Sequence, residues 1–243
     1  MTVLTAADYA DTGQWRLIVK IFPDGMTAHL ENTLHDDVEP QELFTSSWEK
    51  GDGTLLQNIE NAVYDHPRVL DDFAARIVVY DMHTLMMPTE LVAESVGQEE
   101  QWYTAVYPCD EADIMYDTDG DLLAAYMPVK GLKGFLNRTF PGARVTNHLM
   151  EEVRDMRRRA KEGLKGRAMG LHVRGNEADF VLTDGEKLLS ASTHPLTGPT
   201  DAAYHAFNIM AAYGVNPSET AVILKGDGLP DEVAEVFAKF TKQ

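Results

Sequence analysis

The chain has 243 residues and a formal net charge of -18, from 39 acidic and 21 basic side chains. With 44% hydrophobic and 25% charged residues it has a core to bury and is not a disordered tail. So acidic a surface repels nucleic-acid phosphates and anionic lipid, which argues against both as partners of the whole molecule, and it keeps a protein in solution. Cys109 is the only cysteine, so the chain forms no internal disulfide and has no cysteine-based zinc site. The first residues lack the basic and apolar segments of a signal peptide, and no run approaches the roughly 18 apolar residues of a membrane helix. Together these predict a reduced, cytoplasmic setting.

Residues 1–13 read as a loose leader. Trp15 to Phe22 is rich in β-branched and aromatic residues and predicts a strand. Pro23-Asp24-Gly25 predicts a hairpin turn in which proline presets φ and Gly25 takes the reversed φ. Met26 to Asn32 returns as a second strand, and Gln41 to Ser47 gives a third. Leu55, Ile59, Val63 and Tyr64 recur at helical spacing, so Thr54 to Tyr64 predicts a helix with Asp52 or Thr54 at its cap. Ala75 to Tyr80 is the next strand.

A middle section follows. Leu85 to Pro88 predicts a strand and Pro88-Thr89 the start of a helix to about Tyr103. Ala112 to Tyr116 and Leu122 to Met127 form a hairpin around Asp119-Gly120. Pro128 opens a short helix through Phe140, Ala143 to Thr146 is a strand, and His148 to Glu162 is a helix with Leu149, Val153 and Met156 on one face.

The strand, strand, strand, helix, strand order of the first part then recurs. Ala168 to Val173, Ala178 to Thr183 and Lys187 to Ala191 form a meander, with turns at Gly175-Asn176 and Asp184-Gly185. Asp201 to Tyr213 is helical, and Thr220 to Leu224 is a strand ending on Lys225-Gly226-Asp227-Gly228. The recurrence predicts two copies of one mixed α/β unit, over 14–146 and 147–243. No Gly/Ser linker or low-complexity tract separates them.

Familiar site patterns are sparse. Asp113, Asp117, Asp119 and Asp121 cluster, but Gly120 is fourth from Asp117 and no glutamate stands twelfth, so they suit a solvated hairpin better than a calcium loop. Arg154, Arg157, Arg158, Arg159, Lys161, Lys165 and Arg167 form one basic island. It reads either as a docking face for an acidic partner or as a solvated helix face near a C-terminus. The eight histidines lack an HExxH pair, the serines lack a G-x-S-x-G elbow, and no P-loop is present. Met82, Met86 and Met87 read as core filling.

The duplicated unit resembles the actin-like ATPase fold, two ribonuclease-H-like lobes with mixed sheets. More closely, the chain is similar to an uncharacterised family common in Bacteroidetes, with that fold and no established function. The residues that carry the closer resemblance are Thr84 to Pro88 with Leu91, Asp113-Ile114, Asp117, Phe140-Pro141 to His148, Asp201 to Tyr204, and Ala221 to Gly226. Relatives in the wider fold include cytoplasmic scaffold proteins of type IV pili and type II secretion.

In active members of that fold, a glycine-rich hairpin after the first strand of each half cradles phosphates through backbone N–H groups, and an aspartate positions magnesium and water. The resemblance therefore implies ATP and magnesium as the cofactor question. In the second hairpin His172 stands at the aspartate position and Arg174 at the first glycine, while Gly175 and Asp179 are kept. A neutral imidazole does not replace a carboxylate around a hard cation, and an arginine side chain obstructs close backbone approach. The first hairpin keeps Asp24-Gly25 and Thr27 but has Pro23, which removes a donor. Gly226 and Gly228 resemble the adenosine loop, though they serve equally to turn strand into helix.

If nucleotide binds, the resemblance places it at Gly25, Thr27, Gly175, Asp179, Gly226 and Gly228. The degraded hairpins predict a protein without catalysis or required cofactor, acting through protein contacts, with Arg154, Arg157, Arg158 and Lys161 as a docking face. The alternative is an ATP-binding regulator with little or no hydrolysis. A third class, an enzyme of unrelated chemistry, has only acids such as Asp179 and Asp201 in its favour.

Overall fold

The computed structural model describes residues 11–35, 38–49, 51–94, 99–107, 114–198, 200–226 and 231–241. It divides into two compact units, 1–148 and 149–243.

In the first unit, β1 (Trp15–Phe22), β2 (Gly25–Asn32) and β3 (Gln41–Ser47) form an antiparallel meander. After helix α1 (Leu55–Asp65), β4 (Ala75–Tyr80) pairs parallel with β1 on the far side of β2. Further along, β8 (Arg144–Asn147) adds parallel to β4, giving the order β3-β2-β1-β4-β8. Leu17, Val19 and Ile21 alternate onto one face and bury with Met26, Ala28 and Leu30 of β2 and Ile59, Ala62 and Val63 of α1. Thr54, not Asp52, caps α1: its hydroxyl accepts from the Gln57 N–H while the Gln57 amide oxygen accepts from the Thr54 N–H.

The section between β4 and β8 holds a second, antiparallel sheet of β5 (Thr84–Pro88), β6 (Met115–Asp119) and β7 (Leu122–Tyr126), in the order β5-β7-β6. The helix expected from Pro88 to Tyr103 is instead α2 (Thr89–Glu94) and α3 (Glu99–Val106), with 95–98 outside the described residues. The helix expected from Pro128 begins later, as α4 (Leu132–Thr139), because Gly131 at its N-cap is left-handed with φ +87°. Met87 is buried; Met82 packs, partly buried, against the unit's main core. The Asp117 carboxylate accepts a 2.5 Å hydrogen bond from the Thr146 hydroxyl, tying β6 to β8. Asp113 lies outside the described residues.

The second unit starts on α5 (His148–Glu162) and repeats the element order. β9 (Arg167–Arg174), β10 (Glu177–Asp184) and β11 (Lys187–Pro195) form the meander, α6 (Asp201–Ala212) follows, and β12 (Ala221–Lys225) pairs parallel with β9. The sheet order is β11-β10-β9-β12, and α7 (Asp231–Phe240) follows β12. One sheet face presents Met169, Leu171, Val173, Ala178, Phe180 and Leu182 to Ala202, Ala203, Ala206 and Met210 of α6 and Val233 and Phe237 of α7. The other face meets α5 at Gly170, where an added Cβ would lie 2.8 Å from the Met156 sulfur. Met156 is flexible and can give way, so Gly170→Ala is expected to cost about 1–2 kcal/mol in chemical denaturation. No helix among the described residues is long and apolar enough to cross a membrane.

Candidate functional site

Three of the residues that sequence and resemblance single out, His172, Arg174 and Asp179, share the α5-side face of the second unit's sheet. Asp179 on β10 stands opposite His172 on β9 and opposite Thr193 on β11. Arg174, two residues beyond His172, is the diagonal neighbour of Asp179 on that face, within reach of a long side chain. Lys225 of β12 stands beside His172 on the other side. A row of polar side chains therefore crosses four strands.

The row is closed on itself. Arg174 donates to both oxygens of Asp179, Nε to Oδ2 at 2.8 Å and Nη2 to Oδ1 at 3.0 Å, and the Thr193 hydroxyl adds a 2.6 Å hydrogen bond to Oδ1. The Asp179 side chain has no solvent exposure and that of Arg174 only 10%. Planar guanidinium matched to planar carboxylate in this bidentate way is the strongest ordinary side-chain pairing.

Helix α5 closes the other end. Glu152 accepts from His172 Nδ1 at 2.9 Å and from Lys225 Nζ at 2.8 Å, and Asp155 lies 2.5 Å from the same Nζ. Because an ionised carboxylate only accepts, the His172 proton sits on Nδ1. Burial by itself would raise both carboxyls. The His172 hydrogen bond and the Lys225 charge nonetheless hold Glu152 below its usual value. Hydrogen bonds from Lys225 and Arg159 hold Asp155 down at about 2.

A depressed folded-state value means that the ionised acid stabilises the fold above the unfolded-state pKa and that this contribution is lost as pH falls. For Asp155 the loss is expected between about pH 4 and the folded value of about 2. Acid titration followed by circular dichroism checks this, and Lys225→Met is expected to flatten that limb.

The hairpin tip itself is Gly175-Asn176, between the paired Arg174 and Glu177. Gly175 carries the positive φ, +56°, and Asn176 does not, the pattern of a turn with glycine at its first central position.

Gly226 has a different constraint. Its φ is +117°, and a Cβ there would lie 2.1 Å from the Val173 carbonyl oxygen. The chain leaving β12 thus runs directly against the backbone of β9, and this close approach accounts for the glycine. Gly228 lies outside the described residues.

In the first unit, Pro23-Asp24 are the two turn residues, since Phe22 pairs with Gly25. Gly25 is not among the glycines of positive φ, against the expectation for it. It is required because a Cβ would come within 2.9 Å of the Ser46 carbonyl oxygen on β3. Both turn carbonyls are engaged by Trp48, whose backbone N–H donates to Asp24 and whose indole Nε1 donates to Pro23, each at 3.0 Å. Thr27 sits within β2, between Lys20 and Thr45.

Of the basic island, Arg154 pairs with Glu151 at 2.8 Å, Arg158 with Glu162 at 3.1 Å and with Asp155, and Lys161 with Glu186 at 3.6 Å. Arg157 is partly buried. Asp201 closes the loop before α6, accepting from the Thr197 and Gly198 N–H groups. Among the described residues no group of three or more His, Cys, Asp or Glu is arranged to hold a metal ion.

Glu152, Asp155, Thr193 and Trp48 are the site-shaping residues that sequence reasoning missed. No local pattern marks them, since each acts on a residue of a different element.

The sequence matches, over residues 6–242, the family described as "Protein of unknown function (DUF3822)". The chain belongs to this family. The fold is similar to that of a crystal structure from Bacteroides thetaiotaomicron described as a protein with actin-like ATPase fold and unknown function. It is 20% identical, with 96% of this chain and 90% of that one covered and a TM-score of 0.77. This DUF3822 protein therefore has the actin-like ATPase fold. Weaker likenesses are to the PilM–PilN type IV pilus biogenesis complex (14% identity, 92% and 86% covered, TM-score 0.48) and to an exopolyphosphatase from Cytophaga hutchinsonii (9% identity, 86% and 66% covered, TM-score 0.43). A search of the curated proteins finds no match.

Proposed function

We infer that this DUF3822 protein is a non-catalytic member of the actin-like fold that acts through protein contacts. The observation that carries the reading is the saturation of Asp179. Its two oxygens hold Arg174 and Thr193, it is sealed from solvent, and nothing of it is left to orient a magnesium shell. His172 donates to Glu152, and the Lys225 ammonium is held by Glu152 and Asp155, so the hairpin offers a phosphate little net positive charge.

The alternative, a nucleotide-dependent regulator, rests on Gly226 and Gly228. Val173 already accounts for the first. For the same reason a bulky replacement at Gly226 is no test of ligand contact, because it would disturb the sheet. Isothermal titration of the whole chain with Mg-ATP and Mg-ADP is the direct test. No heat of binding is expected at nucleotide concentrations up to the millimolar range of weak association. Micromolar affinity accompanied by phosphate release would overturn the reading.

A further inference from the structure

We propose that the outer edge of β12 receives an extended segment of a partner protein, added parallel to it as a new strand of the second unit's sheet. The inference rests on the protein-contact reading above and gives that reading a surface.

The two units set up the comparison. In the first, β4 is hydrogen-bonded on both sides, by β1 and by β8. In the second, β12 occupies the equivalent place but pairs with β9 alone among the described strands. Each of its five residues, Ala221-Val222-Ile223-Leu224-Lys225, is partly exposed. An unpaired edge exposes a row of N–H and C=O groups, and proteins usually guard it with charge, proline or a bulge.

The meander edges carry such guards. The pairing of β2 with β3 shifts register at Ala28/His29, and β3 carries Gln41, Glu42 and Thr45. The pairing of β10 with β11 shifts at Leu182/Thr183, and β11 carries Ser190, Ser192 and Thr193 and ends at Pro195. By contrast β12 is an apolar run whose single charge, Lys225, is turned onto Glu152 and Asp155.

The chemistry of the occupant follows. Val222 and Leu224 pack against the core shared with α6 and α7, so an added strand extends that core if its alternate residues are apolar. A net charge of -18 favours a segment with basic flanks. The same charge on both partners opposes a second copy of this chain.

The test is amide hydrogen exchange on the whole chain. The probe is a synthetic peptide of alternating valine and threonine flanked by lysines. A control peptide of the same sequence carries N-methylated backbone amides, which keep charge and side chains but cannot complete a ladder. With the first peptide, exchange at Ala221–Lys225 is expected to slow at least about tenfold, with β4 unchanged. The control peptide should leave β12 exchange unaltered, and Ile223→Lys should abolish the effect. Absent slowing, equal slowing by the control, or β12 amides already as protected as those of β4 without peptide would each overturn the inference. A parallel arm with Mg-ATP separates the two ideas: nucleotide-dependent protection at His172–Asp179 together with phosphate release sinks the non-catalytic reading, whereas an unresponsive β12 sinks only the edge proposal.

Discussion

Gly226→Ala is expected to destabilise this DUF3822 protein by roughly 3 kcal/mol or more, a loss reached by adding one methyl group. Two effects combine. The residue has φ +117°, a conformation that side-chain-bearing residues rarely adopt, and the new Cβ would sit 2.1 Å from the Val173 carbonyl oxygen and 2.9 Å from its carbon. Those neighbours are backbone inside a paired strand and have no rotamer to escape into. For a chain of this length the melting temperature should fall by roughly 2–4 °C per kcal/mol. Gly170→Ala is the internal control, because its clash is with the flexible Met156. Differential scanning calorimetry of the two variants decides the matter, and equal shifts would contradict the packing at Gly226.

The second large effect concerns the pair beneath the β9–β10 hairpin. Asp179→Ala is expected to cost roughly 3–5 kcal/mol, because it strands a buried guanidinium and removes the acceptor of the Thr193 hydroxyl. Arg174→Met should cost a similar amount by leaving a carboxylate sealed from water. Replacing both at once with apolar residues of like size, Arg174→Met with Asp179→Leu, should be far milder than the sum, with a coupling of about 2–3 kcal/mol in a double-mutant cycle. Guanidinium chloride denaturation of the four proteins measures it. Additive losses would mean that the two side chains do not depend on each other.

The order of strands and helices was legible because it is written locally. The β-branched and aromatic run of Trp15 to Phe22, the turn residues that bound Ala178 to Thr183, and the helical spacing in Leu55 to Tyr64 each fix an element without reference to anything distant. Hairpin register was legible only to within one residue. Asp119-Gly120 and Asp184-Gly185 suggest turns centred on those pairs. In the structure Asp119 and Asp184 close their strands, and glycine leads the turn, with φ +59° at both Gly120 and Gly185. Glycine suits either central position, so the dipeptide alone cannot choose.

The site was half legible. His172 and Arg174 stood out because the resemblance to the fold's active members implies other residues at their positions. Their partners did not stand out. Glu152 acts on His172 from 20 residues away and on Lys225 from 73, and which helix crosses a given strand is a property of the packed chain. Gly226 misled for the same reason. A glycine that admits a ligand and one that admits a neighbouring backbone look identical until the distance to Val173 is known.

The mutual hold of Arg174 and Asp179 also bears on how such a lineage can change. Either residue altered by itself leaves its mate buried without support, so a single substitution at this pair passes through a poorly folded protein. Descendants are in this sense held on the side of the fold they now occupy, free to vary on their surface while this small ratchet of interlocked charges stays put.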